Sequence, residues 1–303
     1  MIRGISQIGV RVGHAGEVAP VVRWLAAQPD AGGKCWRAAN VHLAVTEGAD
    51  DGAALKPHET GITHFCVQAR DPWPMVDDLA AAGMRFTAPL TTLGNGTHYA
   101  YGALPSGPIV EIESAVFAPE AIATAWVAHV AFATPDLRRL SGFYAALTGR
   151  AFTGGFAVPP RAENAIITGY DDPSMRVGWV PCGNLMLEFW QYASPPTLPR
   201  AAPAANAPGY TALVFETVGL ARGTEALAAA GVADLSPVTR DAEDVLHATG
   251  RDPDGNPLGF ICFDAVPEHP RALAALPDPW LMQHLHTLRT TLPPPHYRPE
   301  MTW

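Results

Sequence analysis

Apolar and polar positions along this chain change period in a fixed order, and that order recurs. From residue 61 the run GITHFCVQ alternates, with Phe65 and Val67 on one side and His64, Cys66 and Gln68 on the other, which predicts a strand. WPMVDDLAAAG (residues 73–83) shifts to helical spacing through Met75, Val76, Leu79, Ala80 and Ala82, and Gly83 stands where a helix stops. Two extended runs follow, residues 84–93 and 97–104, and then PIVEIES (108–114), with NGT and PSGP as turns. The unit is β-α-β-β-β.

Three other segments repeat the opening run: ISQIGVRV (5–12), WVAHVAFAT (126–134) and GYTALVFET (209–217). They carry Gln7, His129 and Ala212 where the first example has His64. Each is followed by a helix-like stretch (17–28, 137–147, 220–231) and closes in a strand, NVHLAVT (40–46), NLMLEFWQ (184–191) or NPLGFICF (256–263). The interval from His64 to Glu111 equals that from Ala212 to Gly259. The chain therefore reads as four copies of one module, at residues 2–58, 60–117, 125–193 and 209–266. The first is short and trimmed around residues 30–34. The third is long, and AENAIITGY (162–170) and MRVGWVP (175–181) are expected to be two further strands. The segment 193–209 is a Pro/Ala-rich linker, because proline fixes φ and lacks the N–H that a central strand or helix needs. The tail, 267–303, lies outside the repeat. Residues 280–291 predict one amphipathic helix, and PPPHYRPEMTW an extended end lying over another surface. His284 and His286 stand two apart, so a helix points them in different directions.

Composition narrows the function classes. The 303 residues are 48% hydrophobic, enough for sizeable cores, yet no apolar run is long enough to cross a bilayer. The formal net charge is −9 without a Lys/Arg cluster, which argues against nucleic acid as a partner. No leader pattern points to export, and Cys35, Cys66, Cys182 and Cys262 form no close pairs. A cytoplasmic protein with buried, reduced thiols is expected.

The repeated module, the GITH and AHVAF openings and the DPDGNP turn (252–257) resemble the vicinal oxygen chelate superfamily, which includes glyoxalase I, methylmalonyl-CoA epimerase, extradiol dioxygenases and bleomycin-resistance proteins. The resemblance covers roughly residues 2–266. It implies an α+β fold in which βαβββ modules pair into two open, cup-shaped mixed β-sheets with helices outside. The expected pairing joins module 1 to 2 and module 3 to 4, giving domains 1–117 and 125–266 followed by the tail 267–303. The resemblance also implies that each first strand supplies His or Gln, and each last strand Glu, to a divalent metal. The first cup would then hold Gln7, Ala44, His64 and Glu111, and the second His129, Glu188, Ala212 and Gly259. Gln7, His64 and Glu111 suit Zn, Ni, Fe, Mn or Co with positions open for substrate. An alternative pairing of modules 2 and 3 would unite His64, Glu111, His129 and Glu188. An extradiol iron site would need donors at 129, 212 and 259, and Ala212 and Gly259 argue against it.

The function expected from this is a metal-dependent isomerase, epimerase or lyase acting on a small oxygenated substrate, aromatic or not, with Glu111 and His64 at the chemistry. The alternative is a metal-free cup that sequesters a flat ligand. His98, Tyr99, Tyr101, Arg176, Trp179 and Trp190 are candidates for the pocket wall, against the plainer reading of each as core. Likewise His64 and His129 could be hydrogen-bonded core histidines, and Glu111 a solvated strand residue. Cys66 shares the His64 face but lacks a basic neighbour in sequence, which favours packing over nucleophilicity. The partner is a small molecule. The chain is a monomer or homodimer, since four modules close two cups without a second copy.

Overall fold

The computed structural model describes residues 1–30, 32–49, 56–94, 96–199 and 206–291. The strands form two open, mixed sheets, one of eight strands and one of nine. Within every module the opening strand runs parallel to its own closing strand: Ile2–Val12 with His42–Glu47, Gly61–Ala69 with Ile109–Ser114, Trp126–Ala133 with Leu185–Ser194, and Gly209–Thr217 with Pro257–Cys262.

The module pairing differs from the expected one. Ile2–Val12 pairs antiparallel with Gly209–Thr217, and Gly61–Ala69 pairs antiparallel with Trp126–Ala133. Modules 1 and 4 share the eight-stranded sheet, and modules 2 and 3 the nine-stranded one. The physical reason lies in buried charge: the expected pairing would give each carboxylate one imidazole, whereas this one gives each of them two. An isolated buried carboxylate is strongly destabilising, whereas one beside imidazoles is compensated. Pairing 2 with 3 gathers His64, Glu111, His129 and Glu188 into one cup. It leaves Gln7, Ala44, Ala212 and Gly259, none of them charged, to the other.

Alternation places the two faces as the sequence indicated. Phe65 and Val67 enter the main core, which the helices cover from outside, while His64 and Cys66 face the cup. The helix Trp73–Ala81 buries Met75 and Leu79. Leu137–Thr148 starts where the Asp136 carboxylate accepts the Arg139 N–H and stops at Gly149, in the left-handed region. The first module's helix is shorter than 17–28: it runs Ala19–Trp24 and ends before Ala26, whose φ is 48°. The fourth module has only a 3-10 turn, Leu220–Arg222, and the helix Glu225–Ala229.

The segment around 162–170 is a helix, Ala162–Thr168, and not the expected strand. Pro159 and Pro160 cannot donate to a ladder, and Ala, Glu and Asn follow at the helix start. Asn164 and Ile167, one turn apart, are buried while Ile166 is exposed, and Gly169 ends the helix at φ 73°. The tail forms the helix Leu281–Thr290, whose Leu281, Met282 and Leu285 pack on Cys66, Trp126 and Ala128 at one end of the nine-stranded cup. His284 and His286 belong to no group of potential metal ligands among the described residues. The extended end expected at 293–303 lies outside the described residues. All four cysteines are buried free thiols. No described helix is long and apolar enough to cross a membrane.

Two buried asparagines join the sheets. Asn184, fully buried, accepts the Ile5 N–H on Oδ1 at 2.7 Å and donates from Nδ2 to the carbonyls of Ile5 and Asn40 at 2.9 and 2.6 Å. Asn40 donates to the Val127 carbonyl at 2.7 Å and accepts the Val127 N–H at 3.3 Å. These bonds link strands Ile2–Val12 and Trp126–Ala133 across the joint. Close approach is part of it, since a Cβ on Gly183 would lie 2.1 Å from the Arg3 carbonyl oxygen. Replacing Asn184 by Ala strands buried backbone groups at Ile5, so Asn184→Ala is expected to lose about 3 kcal/mol of unfolding free energy in urea. A change below about 1 kcal/mol would show that water satisfies those groups instead.

Candidate metal centre

The two central strands of the nine-stranded sheet bring His64 and His129 side by side. In their antiparallel register His64 opposes Ala131 and His129 opposes Cys66, so alternation puts both imidazoles on one face. The flanking closing strands add Glu111, level with Cys66, and Glu188, level with Ala131. All four side chains are buried, and one donor atom of each lies within 4.8 Å of the others. Glu111 Oε2 is 2.8 Å from His129 Nε2 and 3.4 Å from His64 Nε2; Glu188 Oε2 is 3.3 and 3.9 Å from the same nitrogens. Yet His64 Nε2, His129 Nε2 and Glu111 Oε2 make no aligned hydrogen bond.

The surroundings fix these groups unequally. Thr63 Oγ1 donates to the Ala131 carbonyl at 3.3 Å and lies 3.0 Å from His64 Nδ1. The Thr63 contact at Nδ1 orients the His64 ring so that Nε2 faces the cluster. Glu188 accepts two indole N–H groups, Trp179 on Oε1 at 2.9 Å and Trp190 on Oε2 at 2.8 Å. Glu111 has no comparable anchor among the described residues.

Electrostatics follow from crowding. Burial alone would lower the His129 pKa, but the Glu188 charge and the contact with Glu111 outweigh it and raise the imidazole to about 9. Burial alone would raise Glu111, but His129 and His64 hold it at about 2. Glu113, next on the same face, is pushed up to about 7 by burial and by the Glu111 charge, against the pull of Arg289 and a 2.6 Å hydrogen bond from Gln68. Burial, with these carboxylates, also drives the Cys66 thiol well above its ordinary value, so it stays protonated and serves packing.

The remaining candidates separate cleanly. Tyr99 and Tyr101 face the cup, in register with Glu113 and Glu111, and Trp179 and Trp190 line it. His98 alternates to the other side and packs edge-on against Trp73, with ring centroids 5.0 Å apart. Arg176 also alternates away, into a separate depression with Asp136 and Gln191. Gln7 lies in the eight-stranded sheet between His42 and Val214, so it is no neighbour of His64 and Glu111. Ala212 and Gly259 line that second concave face and offer it no side-chain donor. Tyr192, Asn164 and Ile167 also line the cup of modules 2 and 3 and were not among the sequence candidates. Asn164 and Ile167 were hidden by reading their segment as a strand. The Glu188–Trp190 alternation, by contrast, was visible as one face of a strand.

No family model and no curated protein matches the chain. Solved structures do. Glyoxalase I from Zea mays superposes with a TM-score of 0.58 at 15% identity, covering 94% of this chain and 95% of that one. A proposed dioxygenase from Bacillus subtilis subsp. subtilis str. 168 gives 0.57 at 11% identity, covering 97% of each. The chain has the vicinal oxygen chelate fold. At such identities the likeness establishes the fold alone, and the metal question rests on the cup itself. There the strands bring together two imidazoles and two carboxylates, buried and converging, with three donor atoms that make no aligned hydrogen bond. Such a set fits a divalent cation.

In the metal-free protein the His129 shift sets a pH window. A folded pKa of about 9 against about 6.5 unfolded gives stability that is complete below pH 6.5 and lost as pH rises to 9. The depressed Glu111 gives stability present above pH 4.5 and lost as pH falls toward 2. Chelator-treated protein should therefore lose on the order of 3 kcal/mol between pH 6.5 and 9 relative to His129→Gln, followed by urea unfolding. Parallel pH profiles for the two proteins would refute the pairing.

Proposed function

We propose that the chain is a divalent-metal-dependent isomerase, epimerase or lyase acting on a small substrate with two adjacent oxygens in the cup of modules 2 and 3. The observation that carries this reading is the convergence of His64, Glu111, His129 and Glu188, buried and incompletely hydrogen-bonded, at the floor of an aromatic cavity. These four residues would hold the ion. Bound there, a divalent cation supplies Lewis acidity toward a substrate carbonyl or alkoxide oxygen.

The chain's own groups divide the remaining work. Glu188, clamped by two indoles, holds position. Glu111 lacks such a clamp and stands at the cavity surface, so it is the carboxylate able to turn toward a substrate carbon and move a proton. Tyr101 and Tyr192 line the cavity with hydroxyls that have no hydrogen-bond partner among the described residues, and both are positioned to donate to a substrate oxygen. Trp179, Trp190 and Ile167 exclude water. A carboxylate free to move a proton favours proton transfer over ring cleavage. The close His129–Glu111 pair favours a second reading, in which the two groups satisfy each other and the cup binds a flat ligand without metal.

Metal content separates the two readings. Untagged protein reconstituted with Zn, Ni, Mn or Co should retain metal stoichiometrically by mass spectrometry. Glu111→Ala and Glu188→Ala should each lose it, while Gln7→Ala keeps it. Failure to take up any of these ions would replace the enzyme reading by the binding one. The indole clamp makes its own claim. Trp179→Phe and Trp190→Phe should each weaken metal binding by about ten- to a hundred-fold in calorimetric titrations of the metal-free protein. Unchanged affinity in both would mean that the indoles only line the wall.

A further inference from the structure

The cavity above the four ligands has a volume of about 160 Å³. A cavity of about 150 Å³ holds a single benzene ring. One wall is Leu93, Tyr99, Tyr101 and Ile167; the opposite wall is Val177, Trp179 and Trp190. The short helix Ala162–Thr168 bridges them. It leaves module 3, contacts the strands Thr91–Thr92 and His98–Ala103 of module 2, and places Asn164 and Ile167 over the ring-sized space.

The charge of the lining is one-sided. Its ionisable acids and bases other than tyrosine are Glu111, Glu113, Glu188 and His129, and no Lys or Arg occurs among the described residues that line it. Arg176, on the strand that supplies Val177 and Trp179, alternates to the far side. Arg289 stacks over Phe117 and is not among the lining residues. Two ligating carboxylates already balance a divalent ion. A carboxylate or phosphate on the substrate would thus be desolvated without a counter-charge. Polar recognition is left to neutral donors, the Tyr101 and Tyr192 hydroxyls.

We infer that this cup takes an uncharged, single-ring compound bearing two adjacent oxygens and rejects the same ring when it carries an anionic substituent. The inference rests on the proposed location of the site in the cup of modules 2 and 3. It makes Ile167, on the bridging helix, a residue that sets specificity, because its side chain meets the edge of the ring farthest from the ligands.

The test is a matched pair of probes, catechol and 3,4-dihydroxybenzoate, which present the same two oxygens and differ by one carboxylate. Both are titrated calorimetrically into the metal-loaded full-length protein at neutral pH. Catechol should bind at least about ten-fold more tightly. In Ile167→Arg the preference should narrow or invert, through a gain for the carboxylate probe that a damaged fold would not give. Equal or tighter binding of 3,4-dihydroxybenzoate to the wild type overturns the inference. So does failure of both probes to bind protein whose metal content is intact. Protein that takes up no metal would instead sink the metal reading. The same titration on the metal-free cup then decides charge selectivity separately, with equal binding of the two probes again counting against it.

Discussion

The packing of this molecule turns on where its buried carboxylates find partners. Glu111 is held in the interior by His129 and His64, and Glu188 by two indoles and the same imidazoles. None of these groups tolerates burial alone. That constraint selects the pairing of modules 2 and 3. The pairing forces modules 1 and 4, the first and last in the chain, to meet around them. The eight-stranded sheet is thus assembled from segments separated by the whole of the site-bearing sheet, a topology of high sequence separation.

Much of this was legible in the residues. Each opening strand showed its alternation, and the resemblance to the vicinal oxygen chelate superfamily implied the fold class and named His64, Glu111, His129 and Glu188 as candidates. The partner choice was not legible from local pattern, because every opening strand has the same apolar face and pairs equally well with any other. What distinguishes the pairings is charge compensation between strands distant in sequence. A four-donor set was available as a guide, but the usual order of neighbouring modules outweighed it. Strand parity misled in a similar way at His98 and Arg176. Each sits on a strand that lines the cup, but one residue out of phase with it, and a one-residue step exchanges faces. The helix Ala162–Thr168 was missed because its isoleucines suggested a strand, while the Pro-Pro before it and Gly169 after it were the stronger signals.

The asymmetry between the two carboxylates is a property of the strands that carry them. Glu188 and Trp190 share one face of Leu185–Ser194, and Trp179 opposes Glu188 on the neighbouring strand, so the clamp arises from plain alternation and register. At Glu111 the equivalent cross-strand neighbour is Tyr101. Its ring lies 4.9 Å from that of His64, and it gives Glu111 no hydrogen bond. One half of the cup therefore fixes its acid and the other leaves it responsive, although both halves pair an opening strand in parallel with a closing one.

The sheet without ligands is not idle. Tyr210, on the opening strand of module 4, donates its hydroxyl to the Ile109 carbonyl at 2.5 Å and accepts the Phe65 N–H at 3.2 Å. Ile109 and Phe65 stand on the two strands that carry Glu111 and His64, each within two residues of its ligand. Module 4 offers no donor side chain at Ala212 and Gly259, yet its Tyr210 satisfies backbone groups on the strands that carry His64 and Glu111. The empty half supplies the rigid backing against which the other half holds four buried polar groups in place.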